Sequence, residues 1–288
     1  MFIQRIGRLI AVGILLACSG LTATAQESYP NANRIVSIGG AVTEIIYELG
    51  QQHRLIARDT TSVYPPAVLN LPDVGYMRRL SAEGILSVSP DLILTVAGSG
   101  PQETIELLSQ SNIPFVDVPG DYSSAGIVER IKAVSQALAV PKLGDALARK
   151  VGDELAVAEQ HASRHRDKPK VLFIISMTGG RINVSGTGTR ADSIIRMAGG
   201  QNAMSAFEQY KILTNEAIIS ANPDIILMMS RGNDNHKVEN EPLWQHPAIS
   251  LTSAAKNKAL IRMDGALMLG FGPRTAKAIT ALNQALYP

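Results

Sequence analysis

Short apolar runs alternate with amphipathic segments along most of the chain. Residues 34–38 predict a strand, and apolar residues at helical spacing predict a helix over 41–49 that ends at Gly50. The same alternation predicts strands at 55–57, 91–96 and 114–118 and a helix near 103–110. Alternating strands and helices favour an α/β fold with mainly parallel sheets.

One segment of this pattern occurs twice. Residues 80–94 return at 213–227, with eight of fifteen positions identical. Each copy has an N-capping hydroxyl (Ser81 or Thr214), an acid in the first turn, an apolar helix face, and a proline that ends the helix before an apolar strand. The repeat predicts two related lobes.

A long helical stretch separates the two lobes. Residues 123–165 are rich in Ala, Leu, Glu, Lys and Arg, and Pro141 either kinks this helix or starts a new one. The predicted architecture is two α/β lobes joined by a long connecting helix, which would restrict hinge closure. The expected divisions are a signal peptide at 1–25, a first lobe at 26–122, a connecting helix at 123–167 and a second lobe at 168–288.

The N-terminal segment has the pattern of an export signal. Arg5 and Arg8 precede an apolar run at 9–17 that is too short for a membrane helix, and small residues at 23–25 predict cleavage before Gln26. A lipid anchor at Cys18 is the alternative that we favour less. The export pattern predicts a soluble periplasmic protein.

The mature chain has no charge excess and no cysteine. After cleavage it carries 25 basic and 25 acidic residues, which disfavours a nucleic-acid partner, and it loses Cys18, the only cysteine. It has no nucleophile elbow, Walker A loop or paired-histidine zinc motif. Residues 186–189 contain two glycines and predict a tight loop before a helix near Ala191. These observations favour a binding protein over an enzyme.

The loop 73–79 holds the strongest candidate chemistry. Tyr76 lies beside Arg78 and Arg79. A phenolate is a known protein ligand of haem iron, a nearby cation lowers the pKa of a phenol, and arginine forms paired hydrogen bonds with carboxylates. From the residues alone, however, a packing role is the commoner one for a loop tyrosine.

Four segments resemble the haem-binding proteins among the class III substrate-binding proteins, which serve bacterial haem-import ABC transporters. The segments are 34–45, 59–66, 71–78 and 269–275, and the first is shared with cobalamin and siderophore binders. The resemblance implies a cleft between the lobes in which Tyr76 ligates ferric haem. It also implies haem contacts by the residues Arg78, Arg79, Arg231, Met268 and Phe271.

The resemblance also bears on stoichiometry and partners. Some relatives use a histidine of the second lobe, whereas residues 176–180 contain none, so we expect one haem, with Met177 as a candidate soft ligand. The class docks on an inner-membrane permease, which works with its ATPase, through an acid on each lobe, here Glu103 and Glu239. We expect a monomer. The alternative ligands are a corrinoid such as cobalamin and a ferric siderophore.

Overall fold

The first lobe is built on a parallel sheet. The structure is a computed structural model that describes residues 27–230 and 241–288. In chain order the first lobe contains β1 (Ile35–Ile38), α1 (Gly40–Glu48), β2 (Leu55–Arg58), α2 (Ala82–Leu86), β3 (Leu92–Val96), α3 (Gln102–Ser109) and β4 (Phe115–Val118). The strand order is β2-β1-β3-β4, and every neighbouring pair is parallel. All four strands predicted for this lobe are therefore present.

The connector is a pair of antiparallel helices. These are α4 (Ser124–Ala137) and α5 (Pro141–Ala162). Ala139 between them has a φ of 60°, and Pro141 is the first residue of α5, so the proline starts a helix instead of kinking one. The Ser124 hydroxyl donates to the Glu159 carboxylate at 2.9 Å, which ties the start of α4 to the last turn of α5.

The second lobe is built on a mixed sheet. Its elements are β5 (Lys170–Thr178), β6 (Arg181–Ser185), α6 (Arg190–Met197), β7 (Gln201–Asn202), β8 (Tyr210–Leu213), α7 (Asn215–Ala221), β9 (Ile225–Ser230), α8 (Glu241–Trp244), α9 (Ser253–Lys256), β10 (Leu260–Asp264), α10 (Gly265–Leu269) and α11 (Thr275–Leu286). The order is β10-β9-β5-β6-β8, with β7 beside the start of β5. Strands β10, β9 and β5 are parallel, whereas β6 and β8 are antiparallel. Gly179 and Gly180, both at positive φ, join β5 directly to β6, and such a short turn permits only antiparallel pairing.

The two copies of the repeat have the same local structure. The Ser81 and Thr214 hydroxyls cap α2 and α7 as predicted, each accepting a hydrogen bond from the backbone N–H three residues later. After each helix, an aspartate reaches the central strand of its sheet. Asp91 accepts the two backbone N–H groups just before β1, and Asp224 accepts the N–H at the first residue of β5. Each Pro-Asp pair therefore fixes the entry to a central strand.

A single hydrophobic core passes through both lobes and the connector. It includes Ile93 on β3, Ile131 on α4, Leu155 on α5, Phe173 on β5 and Ile279 on α11, all fully buried. A second, smaller core covers the other face of the second sheet. Because the larger core is shared, the lobes are packed together along the connector, and the space between them opens on the opposite side. Within the described residues, none of the helices combines the length and apolar character that a membrane span requires.

Candidate ligand-binding cleft

The lobes enclose a cleft of about 790 Å³ at the carboxyl ends of their parallel strands. Open α/β sheets characteristically bind ligands at this edge, because the loops that follow the strands converge there. The lining residues come from both lobes: Gly40, Glu44, Thr60, Thr61, Val63, Tyr76, Met77, Arg78, Ile175, Asn183, Arg190, Tyr210, Met229, Ser230, Asp264, Gly265, Ala266, Leu269 and Gly270.

The start of the Tyr76 loop is held by the Asp73 carboxylate. This group accepts hydrogen bonds from the Arg58 guanidinium at 2.7 Å, from the Thr60 hydroxyl at 3.1 Å and from the Gly75 backbone N–H at 2.8 Å. Gly75 has a φ of 105°, a conformation that glycine adopts without the strain that a side chain would add. The loop is therefore tied to the end of β2.

The end of the same loop is anchored by Met77. Its side chain is buried, and its carbonyl accepts a hydrogen bond from the Gly100 N–H at 2.9 Å. The Arg79 N–H donates to the Tyr76 carbonyl at 2.7 Å, which closes a tight turn. Tyr76 is 43% exposed and is carried by backbone that is fixed on both sides.

The structure places Tyr76 and Arg78, but not Arg79, in the wall of the cleft. Arg79 is exposed outside it. Among the described residues, no carboxylate pairs with Arg78 and no group hydrogen-bonds the Tyr76 hydroxyl. The phenol and the guanidinium therefore face the cleft with their polar groups available to a ligand.

The facing wall holds Asn183, Arg190 and Tyr210, which sequence reasoning did not identify. Arg190 is the first residue of α6 and follows the loop that was correctly predicted to be a tight turn, with Thr189 as the helix cap. The sequence signal for Arg190 was only its place after a glycine-rich loop. Asn183 and Tyr210 lie on β6 and β8, whose pairing brings them to the cleft.

Tyr210 differs from Tyr76 in its electrostatic surroundings. Burial raises the pKa of the Tyr210 phenol, although a hydrogen bond with Thr189 and the charges of Arg78 and Arg190 act in the opposite direction. The neutral form of Tyr210 is therefore favoured over the phenolate. Because Arg78 belongs to the first lobe and Arg190 to the second, cationic groups of both lobes act on this phenol.

An ion pair joins the lobes beside the cleft. Arg274, which precedes α11, donates to both carboxylate oxygens of Glu44 on α1, at 3.0 and 2.5 Å. The guanidinium also stacks on Tyr64, with its carbon 3.6 Å from the ring centre. Burial raises the pKa of Glu44, and the hydrogen bonds and charge of Arg274 partly oppose this effect. Of the two carboxylates that line the cleft, that of Glu44 is therefore paired with a cation, whereas that of Asp264 accepts a hydrogen bond from the Leu267 N–H at the start of α10.

Met177 does not line the cleft, which corrects its expected position. A bulge at Ile175 shifts the register of β5 on β6, so that Ser176 lies opposite Asn183 and Met177 opposite Ile182. Opposed residues share one face of a sheet, and Ile182 is buried in the smaller core. Met177 packs on that core, whereas Ile175 reaches the cleft.

Met268 and Phe271 also differ from the expectation that they contact the ligand. Both are buried in the larger core, and neither lines the cleft. The chain turns at Phe271, where φ is 53°, and the ring packs 5.3 Å from the ring of Tyr122. Leu269 and Gly270 occupy the cleft wall in their place.

The remaining predicted residues are on the surface or outside the described residues. Glu103 is exposed in the first turn of α3. Arg231 and Glu239 lie outside the described ranges. In the described part of the chain, no group of three or more His, Cys, Asp or Glu side chains is arranged to hold a metal ion.

Two solved structures closely match this fold. One is the periplasmic heme-binding protein BhuT in complex with two hemes, with a TM-score of 0.82 and 34% identity, covering 88% of this chain and 97% of that one. The other is the periplasmic heme-binding protein RhuT from Roseiflexus sp. RS-1 in apo form, with a TM-score of 0.81 and 35% identity, covering 89% and 98%.

Curated relatives are more distant, and a family pattern covers most of the chain. An uncharacterized ABC transporter substrate-binding lipoprotein, YvrC of Bacillus subtilis (strain 168), is 26% identical over 88% of this chain and 80% of its own. A vitamin B12-binding protein of Pectobacterium atrosepticum (strain SCRI 1043) is 26% identical, covering 86% and 88%. The periplasmic binding protein pattern matches residues 35–267. The chain therefore belongs to the periplasmic binding protein family, and its two lobes with a helical connector have the class III arrangement.

Proposed function

We propose that the protein captures ferric haem in the inter-lobe cleft and delivers it to an inner-membrane ABC permease for import. The observation that carries this proposal is an anchored tyrosine, Tyr76, beside an arginine, Arg78, that has no ion-pair partner among the described residues, in a cleft of about 790 Å³. Phenolate ligates haem iron, and arginine binds carboxylates such as the haem propionates. The volume is within the range of roughly 300–1,000 Å³ that is usual for small-molecule sites.

Tyr76 is better suited than Tyr210 to be the iron ligand. The phenol must lose its proton to bind ferric iron. Burial raises the pKa of Tyr210, which opposes that loss, whereas Tyr76 is 43% exposed and lies two residues from Arg78. The haem iron is therefore assigned to the first lobe.

The comparisons support haem over the other ligands. BhuT and RhuT are heme-binding proteins, and each is about one-third identical to this chain over nearly its full length. The vitamin B12-binding relative, at 26% identity, makes a corrinoid the second candidate. Cobalamin carries mostly uncharged amide side chains, whereas the cleft presents the guanidinium groups of Arg78 and Arg190, which form no ion pair within residues 27–230 and 241–288 and suit carboxylates.

The proposed role includes export and docking but no catalysis. Cleavage before Gln26 releases a soluble periplasmic monomer, in preference to anchoring through Cys18. The exposed Glu103 presents a carboxylate on the first lobe to basic residues of the permease, which mainly sets orientation and encounter rate. The second acid of this docking arrangement is assigned to Glu239.

A spectroscopic titration tests the haem assignment. Ferric haem is added to the cleaved protein and to its Tyr76→Phe and Tyr210→Phe variants, each of which loses one hydroxyl and keeps its ring. We expect a saturable one-to-one spectrum of tyrosinate type in the wild type. Tyr76→Phe should lose this spectrum, and Tyr210→Phe should retain its type.

Two results would contradict the assignment of Tyr76 as the iron ligand or of haem as the cargo. Loss of the tyrosinate spectrum in Tyr210→Phe, with retention in Tyr76→Phe, would move the iron to the second lobe. An absence of saturable haem binding by the wild type, together with saturable binding of cyanocobalamin, would replace haem with a corrinoid.

A further inference from the structure

Two arginines that interact electrostatically, Arg190 and Arg130, form no ion pair with an acid in the part of the chain that the structure describes. Arg190 lines the cleft, and Arg130, on α4, is 1% exposed. Among the described residues, no carboxylate oxygen lies within 4 Å of a nitrogen of either guanidinium. Burial, and then the charge of Arg190, lower the pKa of Arg130 to about 10. Asp121 and Glu129 act on Arg130 only at longer range, so two like charges without a direct ion pair lie in partly buried surroundings, which favours the binding of an anion.

Arg130 is committed to the structure of the protein. Its two terminal nitrogens donate to the carbonyls of Phe271 at 2.7 Å and Gly120 at 2.6 Å. These bonds tie the connector to segments of both lobes, and the buried side chain does not line the cleft. Arg130 therefore contributes positive charge without being available for direct contact.

Arg190 has most of its hydrogen-bonding capacity unused. A guanidinium offers five N–H donors in a rigid fork. This one makes a single long bond within the described residues, from Nη1 to the Leu269 carbonyl at 3.3 Å, and its Nε is buried without a partner. Its flat face lies 5.2 Å from the centre of the Tyr122 ring, which holds the group in place.

The neighbours of Arg190 are also suited to a carboxylate. Tyr210 lies in the electrostatic field of both Arg190 and Arg78 and keeps its hydroxyl proton, so it can donate a hydrogen bond. Asn183 lines the same wall, and its buried Oδ1 has no hydrogen-bond partner among the residues that the structure describes. With the amide turned over, its –NH2 group becomes a third donor.

We propose that Arg190, with Tyr210 and Asn183, forms a carboxylate site in the second lobe that binds one propionate of the haem. This inference rests on the proposed function and assigns Arg190 as a positioning residue for the cargo. Arg78 binds from the first lobe, so the carboxylate edge of the porphyrin is held between the lobes. The site selects an acidic tetrapyrrole over an uncharged one.

The test compares ferric haem with its dimethyl ester, which has the same iron and ring but no free carboxylate. Both are titrated into the wild type, Arg190→Gln, Arg190→Lys and the control Arg149→Gln. Arg149 is exposed on α5 and is not part of the cleft. We expect Arg190→Gln to bind haem about 10- to 100-fold more weakly and the ester almost unchanged, since one charge-assisted hydrogen-bonded contact is lost.

The controls separate the possible failures. Arg190→Lys should retain part of the preference for the free acid, and Arg149→Gln should retain all of it. Equal weakening for acid and ester, or no weakening, in a variant that keeps the tyrosinate spectrum would overturn the carboxylate site alone. If the wild type binds neither compound, the proposed function itself fails.

A second variant keeps the test decisive if Arg190→Gln does not fold. Tyr210→Phe removes one donor of the site and leaves the ring in place. We expect it to reduce the preference for haem over the ester while the tyrosinate spectrum persists. An unchanged preference would overturn the inference.

Discussion

Arg78 and Arg79 are neighbours in the sequence and lie in different surroundings. The turn closed by the Arg79 N–H and the Tyr76 carbonyl directs the first side chain into the cleft wall and leaves the second in solvent outside it. The presence of two arginines near Tyr76 in the sequence therefore does not tell which of them belongs to the site. The direction of each side chain within the turn decides which arginine is available to a ligand.

Substitution of these two arginines tests that distinction. We expect Arg78→Gln to lower haem affinity about 10- to 100-fold, because one charge-assisted contact to a propionate is lost. Arg79→Gln removes the same charge at the next residue, outside the cleft, and should change affinity less than about threefold. The measurement is a haem titration at two ionic strengths. Equal losses in both variants would mean that net charge, and not contact, governs binding.

At the scale of elements, the Tyr76 loop is rigid because it is bonded to β2 at its start and packed through Met77 at its end. Asp73 alone accepts three hydrogen bonds there. A ligand that binds to a preformed loop does not have to offset the entropy of ordering it. The order of the loop should therefore contribute to ligand affinity, in addition to the loop residues Tyr76, Met77 and Arg78 that line the cleft.

Asp73→Ala should loosen this loop. We expect the free energy of unfolding to fall by about 1–3 kcal/mol and haem affinity to fall about tenfold, since binding must then order the loop. Urea denaturation and haem titration measure the two effects.

Asp91→Ala is the matched control for that variant. Asp91 also accepts backbone hydrogen bonds, at the start of β1 and away from the cleft. Its loss should lower the free energy of unfolding to a similar extent and leave haem affinity unchanged. If both variants lose affinity equally, global destabilisation and not loop order is the cause.

At the scale of the whole molecule, the lobes are linked by more than the connector. The larger core is continuous through both lobes, and the Arg274–Glu44 pair adds a polar link beside the cleft. These links restrict the hinge motion that a flexible joint would allow. The cleft is therefore largely preformed, and ligand selection depends on its walls more than on closure.

Glu44→Gln tests whether burial or the attraction of Arg274 has the larger effect on the pKa of Glu44 in that ion pair. Burial raises the folded-state pKa of Glu44 above the unfolded value, so the folded state holds the proton more tightly. The resulting stabilisation of the folded protein is complete below the pKa that Glu44 has in the unfolded state. It is lost as the pH rises through the pKa that Glu44 has in the folded state. Glutamine does not ionise. The free energy of unfolding of the wild type, relative to the variant, should therefore fall with rising pH, by at most about 1.4 kcal/mol per pH unit.

Urea denaturation between about pH 4 and pH 7 measures this dependence on both proteins. Glu103→Gln, at an exposed position, is the control for the removal of one carboxylate. A wild type that gains stability relative to Glu44→Gln as the pH rises would show that the attraction of Arg274 outweighs the burial of the carboxylate.

Local patterns in the sequence predicted the features that depend on neighbouring residues. The strands and helices of the first lobe, the Ser81 and Thr214 caps, the two-lobe repeat and the position of Tyr76 in the cleft all followed from local patterns and from the resemblance. Hydrophobic periodicity and helix capping involve residues that are close in the sequence, so they can be predicted without knowledge of the fold.

The side chains that reach the cleft from distant segments depend on the three-dimensional fold. Arg190 and Tyr210 reach it because β8 pairs with β6 and α6 starts beside that pair, and no local pattern encodes this arrangement. A bulge at Ile175 sent Met177 to the smaller core, and a turn at Phe271 sent its ring to the larger one. One extra residue in a strand places the side chains that follow on the opposite face of the sheet. One left-handed residue in a loop turns the backbone, so that the side chains near it point in a different direction.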